Sequence, residues 1–355
     1  MWAAEINELA TPVSVAATSE SPLAWKQIVG SAEPFLHAVG QRLAEQVQAF
    51  DKEIAGYATY ALTGQGKQIR PALVALSAGA AGRVTDSHIQ VAVIIEMVHL
   101  ATLVHDDVMD EAQIRRGRPT LAANWGNEIS VLLGDCLFAH ALKLAASFPT
   151  TEICRAVASA TNTVCSGEIL QTQKRKKFEL SRAEYFKVLQ MKTGELFALS
   201  CDLGAYLSGA DAPQRTALRD YGMSVGTAYQ VYDDCLDLFG SEASAGKSLG
   251  TDLAKGKMTL PMLLLLEKVS DEHRPQVQSL IRDWKPANLP RILDLLKTHR
   301  TLPESQEAVH EHLGKARQTL SSLADTESRT GLMGITDYLA HQADVLGTTA
   351  RKGVL

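Results

Sequence analysis

Aromatic residues are scarce in this 355-residue chain, at 6%. Alanine and leucine are abundant by contrast, and strand-like alternation of apolar and polar residues is almost absent, which favours helices over sheets. Cysteine is sparse. Cys136, Cys154, Cys165, Cys201 and Cys235 are scattered, odd in number and form no C-x-x-C pair, which argues against a disulfide framework and fits core thiols in a reducing compartment. The N-terminus carries Glu5 and Glu8 and lacks a basic-then-apolar run, so no secretory signal is expected. No uninterrupted apolar stretch of about 20 residues occurs, so no membrane span is expected. The net charge of −5 offers no electrostatic case for a nucleic-acid partner. The basic run Lys174-Arg175-Lys176-Lys177 is short, and a solvated loop or helix end is expected there.

Nor does any Gly-, Ser- or Pro-rich linker divide the middle of the chain. Residues 1–22, rich in Ala, Ser, Thr and Pro, read as a flexible lead-in. Residues 23–355 read as one all-α domain, a bundle of long helices around a central cleft. The apolar fraction of 46% is ample for its core. Helical periodicity predicts segments near 23–50, 69–82, 87–111, 120–147, 151–173, 181–208, 213–239, 259–270, 273–284, 288–299, 303–325 and 330–347. Pro71, Pro119, Pro213 and Pro261 sit near the starts of four of them, where proline is tolerated.

Against this background one acidic pattern stands out because it occurs twice. Asp106-Asp107-Val108-Met109-Asp110 and Asp233-Asp234-Cys235-Leu236-Asp237 both read D-D-x-x-D, and both follow apolar helical sequence. On a helix, positions i, i+1 and i+4 share an arc of about 100°. Each triplet therefore crowds three carboxylates on one face, and cations must offset their repulsion. Hard oxygen donors of this kind suit Mg²⁺ shared with substrate phosphates. Two such clusters argue against merely solvated acidic helix ends and point to a metal-loaded cleft facing a polyphosphate.

Cations for that anion are at hand. Lys67 and Arg70 flank a helix start in Gly66–Pro71, Arg115 and Arg116 follow Asp110 by about one turn, and His99 lies two turns before Asp106 on the same helix face. Lys192, Thr193, Gln171 and Gln230 sit on one side of long apolar helices. The Gly240–Lys257 loop directly follows the second acidic motif and carries Lys247, Lys255 and Lys257, as expected of a phosphate-closing lid. Gly246-Lys247-Ser248 is not a P-loop, because position 241 is Ser and the preceding sequence is helical. His310-Glu311-His312 lacks zinc-ligand spacing.

Taken in order, GKQIRP (66–71), IEMVHLATLVHDDVMDEAQIRRGRPT (95–120), GEILQ (167–171), KTGELF (192–197), YQVYDDCLDLFG (229–240) and GKSLGTDLAKGKMTLP (246–261) resemble the trans-isoprenyl diphosphate synthases of the polyprenyl synthetase family. The resemblance implies the isoprenoid synthase fold, a homodimer, and a prenyltransferase that adds isopentenyl diphosphate to an allylic diphosphate. It also implies three Mg²⁺ ions held by Asp106, Asp107, Asp110, Asp233, Asp234 and Asp237. Arg115, Lys192, Lys247 and Lys257 would contact the allylic diphosphate, while Lys67, Arg70, His99 and Arg116 would hold isopentenyl diphosphate. Gln230 and Thr193 would flank the reacting carbons. Two departures are visible: Gln65 replaces a usual glycine, and Leu100 is bulkier than the small residue common there.

In this family a bulky residue around the fifth position before the first motif stops chain growth. Here that position is Ala101, with the pliable Met97 one turn deeper, so a medium- or long-chain product such as octaprenyl diphosphate, used for quinone side chains, is expected. The alternatives are a short-chain synthase making farnesyl or geranylgeranyl diphosphate, or a non-catalytic subunit of a heteromeric synthase. The intact acidic motifs argue against the latter. A terpene cyclase would not need the second motif. A cytoplasmic enzyme is expected, reaching a membrane surface only through its product.

Overall fold

A computed structural model describes residues 22–62, 66–241 and 249–347. Residues 1–21 of the expected lead-in (1–22), Gln65 and Lys247 lie outside the described residues, and Pro22 already belongs to the first helix. The chain begins with α1 (Pro22–Ile28), α2 (Glu33–Val47), α3 (Lys52–Leu62), α4 (Ile69–Ala81) and α5 (Asp86–Met109). A minimal hairpin of β1 (Ile114–Arg115) and β2 (Arg118–Pro119) leads into α6 (Leu121–Ala146), α7 (Glu152–Gln173) and α8 (Arg182–Leu189). A π-helical turn at Gln190–Gly194 joins α8 to α9 (Glu195–Leu207), followed by α10 (Ala212–Phe239) and the short α11 (Thr251–Ala254). The C-terminal part comprises α12 (Leu260–Lys268), α13 (Arg274–Arg282), α14 (Leu289–Thr298), α15 (Thr301–Thr319) and α16 (Glu327–Val345).

The architecture is all-α, as expected, and most boundaries follow from local chemistry. Asp211 accepts from the Gln214 backbone while Gln214 reaches back, a capping box that starts α10 with Pro213 inside its first turn. Ser181 and Glu184 do the same for α8. Three expectations need correction. The segment 23–50 is not one helix but breaks at Val29–Ala32, where Gly30 and the Pro34 of the next first turn stop continuation. Residues 52–62, left without structure by the periodicity, form α3. The segment 181–208 contains the π turn, which the unbroken apolar pattern conceals.

At the centre, α9 packs between α4 and α10, and α5 runs along α6. Tyr221 and Phe197 are among the largest fully buried side chains, each contributing roughly 1.5–3 kcal/mol by burial. Close approach of α10 to α9 depends on Gly222, where a Cβ would fall 2.5 Å from the Phe197 carbonyl oxygen.

By length and composition α5 and α6 are long and apolar enough to reach the membrane-spanning range, a test that the core helix of a folded domain also passes. The most apolar window of α5 is 61% buried and α5 itself carries Asp106 and Asp107 in its last turn, the packing of a core helix, whereas the α6 window is 33% buried. Apolar Leu132 on α6 is 61% exposed.

Because the Gly222 contact is to backbone, Gly222→Ala is expected to cost about 1–3 kcal/mol. Chemical denaturation measures this; an unchanged midpoint would show that the two helices can separate freely.

Candidate active site

The ends of α5 and α10 face a single cavity of about 1380 Å³. Asp106, Asp110 and Asp233 line it, together with Lys67, Arg70, His99, Arg115, Arg116, Lys192, Thr193, Gln230 and Lys257. The sequence-predicted cations and carboxylates are thus brought together, with the exceptions described below.

Each carboxylate of the first motif is met by a cation from a different segment. Asp107 accepts from Arg115 Nε at 2.7 Å, a contact supplied by the hairpin. Its two-residue turn is Arg116-Gly117, both with positive φ, as a type I′ turn requires. Asp110 accepts from Lys257 Nζ at 2.7 Å and from Arg175 at 2.9 Å. Asp106 lies 3.7 Å from Lys192 Nζ, which also pairs closely with Glu168 and donates to Gln171 at 3.0 Å. The π turn carries Lys192 to this position. Gly167 of α7 allows the approach, since a Cβ there would meet the Lys192 backbone nitrogen at 2.8 Å.

These contacts set the protonation chemistry. Burial raises the pKa of Asp106 and Asp107 despite Lys192 and Arg115. Burial pushes Asp110 the same way, but Lys257, Lys192 and Arg175 outweigh it and hold it below the ordinary carboxylate range. Burial opposes charge on Lys192, yet Asp106, Glu168 and Asp110 prevail and raise its pKa.

In the second motif the three acids diverge. Asp233 lines the cavity. Asp234 is buried away from it, accepting from Tyr185 Oη at 2.7 Å and from Gln230 Nε2 at 2.9 Å. Gln230 in turn accepts from Thr193 Oγ1 at 2.8 Å. Burial, with the nearby Asp252 charge, pushes Asp234 up to about 8. Asp237, expected as a metal ligand, has another role. It is fully buried and accepts from Thr251 Oγ1 at 2.6 Å and from the Asp252 backbone at 3.1 Å, so its carboxylate caps α11. The expected lid is therefore anchored to the second motif through Asp237.

On the other side of the cavity, Lys67 donates to Tyr338 Oη at 2.6 Å, and the Arg70 guanidinium stacks 4.9 Å over the Phe197 ring. Gly66 leaves room for Arg116, whose terminal nitrogen would sit 2.8 Å from a Cβ at that position. Glu96 is the countercharge of Arg70 and Arg116, while burial raises its own pKa. Burial, reinforced by Arg70 and Arg116, drives His99 well below the usual histidine value and keeps its ring neutral.

Ala101 and Met97 are wholly buried and do not line the cavity; Thr102, Leu103 and Phe138 do. The reason is helical phase. Positions 97 and 101 sit about 160° around α5 from His99, on the opposite face. The expectation of a floor formed by Ala101 and Met97 is corrected accordingly. Residues that sequence reasoning passed over include Glu96, Glu168, Arg175 and Tyr185. Two carried a usable signal: Glu96 precedes His99 by three positions and Glu168 precedes Gln171 by three, one helical turn in each case.

The donor set fits Mg²⁺. Among the described residues no three acidic, His or Cys side chains converge into a ready-made cage. Mg²⁺ characteristically takes one or two carboxylates and completes its shell with water and substrate phosphate. Carboxylate oxygens from two helices lining one cavity match that habit.

The polyprenyl synthetase family profile matches residues 51–297, and the chain belongs to that family. It is thus a prenyl-transferring enzyme of the polyprenyl diphosphate synthase class, with the isoprenoid synthase fold. It is 33% identical to an octaprenyl diphosphate synthase of Haemophilus influenzae, over 86% of this chain and 93% of that protein. It is 30% identical to a short chain isoprenyl diphosphate synthase of Methanothermobacter thermautotrophicus, over 84% of this chain and 94% of that one. A solved polyprenyl synthase from Caulobacter crescentus, in complex with calcium and isoprenyl diphosphate, superposes with a TM-score of 0.85 at 32% identity, covering 89% of this chain and 97% of that one.

If Asp237 anchors the lid helix, Asp237→Ala leaves buried donors unmet, at a cost of about 1–3 kcal/mol. Hydrogen exchange should accelerate at the backbone amides of Gly250, Thr251 and Asp252; protection equal to wild type would refute the anchor.

Proposed function

We propose that this protein is a Mg²⁺-dependent synthase that adds isopentenyl diphosphate units head-to-tail to an allylic diphosphate primer. The product is an all-trans medium- or long-chain polyprenyl diphosphate of the kind carried by quinones. The observation that carries this reading is that one cavity is lined by carboxylates of both motifs, those of the first met by cations, by further basic residues and by an apolar stretch. The apolar stretch comprises Leu103, Phe138, Val131, Val164 and Ile169.

In this scheme Arg115, Lys192 and Lys257, with Lys247 as an expected further contact, hold the allylic diphosphate. Lys67, Arg70, Arg116 and neutral His99 hold isopentenyl diphosphate. Asp106, Asp107, Asp110 and Asp233, with Asp234 behind, would hold Mg²⁺, which would supply Lewis acidity toward the leaving group when bound. The allylic C–O bond breaks and its electron pair leaves with the diphosphate. The isopentenyl double bond attacks the resulting cation, and a proton is lost to the departing pyrophosphate. The residues contribute fixed charge placed where negative charge develops. Thr193 and Gln230, locked by Asp234, face the reacting carbons, and the apolar walls keep water from the cation. No side-chain nucleophile is required.

We also expect a homodimer, for which exposed Leu132 on α6 supplies an apolar surface. We further expect a cytoplasmic enzyme that meets a membrane through its product.

Asp106→Ala combined with Asp233→Ala is expected to abolish incorporation of labelled isopentenyl diphosphate; substantial residual turnover would refute the assignment. With farnesyl diphosphate as primer, wild-type product is expected to extend well beyond four isoprene units by reverse-phase chromatography. Growth stopping at four or fewer favours the short-chain reading. Thr102→Phe, which introduces bulk on the cavity wall, is expected to shorten the product, and an unchanged length would place the floor elsewhere.

A further inference from the structure

The basic run Lys174–Lys177 has no role in the scheme so far, and the structure does not treat its members alike. It follows the C-terminus of α7. Lys174 pairs with Glu184 at 2.5 Å, and Lys176 and Lys177 are exposed. Arg175 alone turns inward. Its side chain is 21% exposed, and a terminal nitrogen donates to Asp110 Oδ1 at 2.9 Å. The other oxygen of Asp110 accepts from Lys257. One carboxylate is therefore bracketed by two cations where Asp110 lines the cavity, with Asp252 the further acid beside Lys257, and Arg175 stands just behind that wall. In addition, Arg175 Nε is buried and has no hydrogen-bond partner among the described residues. A buried N–H without an acceptor is costly, at about 1–3 kcal/mol, and such a donor beside an anion site calls for an acceptor supplied by a ligand.

We propose that Arg175 is a further diphosphate-binding residue, parked on Asp110 while the site is empty and donating to diphosphate oxygens when substrate or product occupies it. The inference rests on the diphosphate reading above. The guanidinium is suited to the exchange. It is always charged, and its planar fork offers five donors, so a terminal N–H and the idle Nε can together meet two oxygens of one phosphate. Lysine could supply the charge but not the fork. The residue would thus add a contact from the end of α7 to a site whose other cations include Arg115, Lys192 and Lys257.

Isothermal titration of the full-length protein with inorganic pyrophosphate at saturating MgCl₂ tests this without turnover. Arg175→Gln is expected to weaken pyrophosphate binding by about tenfold, the scale of one charge-assisted hydrogen bond. Arg175→Lys should fall between the variant and wild type. Affinity in Arg175→Gln equal to or tighter than wild type would overturn the proposal, since a residue that merely competes for Asp110 would bind pyrophosphate less readily than its replacement allows. Thermal melting of each variant checks the fold. If Arg175→Gln does not fold, Arg175→Lys carries the test, and full wild-type affinity in it would be the refuting result. A wild-type protein that binds no pyrophosphate at all would instead refute the diphosphate site itself.

Discussion

Three carboxylates on one helical turn repel one another, and the arrangement of this molecule follows from how that repulsion is offset. No single element supplies the compensation. Arg115 comes from the hairpin after α5, Lys192 from the π turn, Arg175 from the end of α7 and Lys257 from the segment after α11. Segments distant in sequence are held at one point by charge, and the cleft between them is the cavity. Partly buried ion pairs of this kind are weak evidence for stability, because desolvation offsets much of the Coulomb gain. Their value here lies in placement: they fix cations and carboxylates side by side on the wall of one cavity.

Positioning of these charges rests on irregular backbone at defined places. The π turn widens the α8–α9 helix by a residue and sets Thr193 against Gln230 and Lys192 against Asp106 and Glu168. Gly167 admits that turn toward α7, and Gly222 lets α10 lie close to α9. The acidic motif on α10 then splits its labour. Asp233 faces the cavity, Asp234 fixes Gln230, and Asp237 ties the lid helix to the same strand of structure through Thr251 and Asp252.

Legibility of the fold in the sequence tracked the strength of local signals. The start of α10 was readable because Asp211 and Pro213 announce it, and the end of α5 because charge abruptly replaces apolar residues. The π turn was not readable: one inserted residue leaves the surrounding hydrophobic pattern almost undisturbed. The hairpin was too short for alternation to show, although Arg116-Gly117 marks its turn. At the site, residue type and spacing identified the acids and their cations but not which way each acid points. Three aspartates at i, i+1 and i+4 share a face only within a broad arc. Within that arc the neighbours decide: Tyr185 draws Asp234 inward and the α11 amides claim Asp237. Arg175 was illegible for the opposite reason. A run of four basic residues looks solvated, and only the end of α7 against α5 singles one of them out.

The same angular argument bears on how deep a product can grow. The stripe of α5 that faces the cavity runs through His99, Thr102, Leu103, Asp106 and Asp110, spacings of three and four that keep one phase. A residue controls chain length sterically only if it lies on that stripe or displaces one that does. Ala101 lies off it, so its small size leaves no opening by itself; its influence would have to pass through repacking of α5. Thr102 and Leu103 meet the cavity directly, as does Phe138 of α6. One wall of the cavity is therefore formed where α5 meets α6. Since Leu132, the most exposed large apolar side chain among the described residues, also lies on α6, a partner packed on that face would press on a helix that lines the cavity.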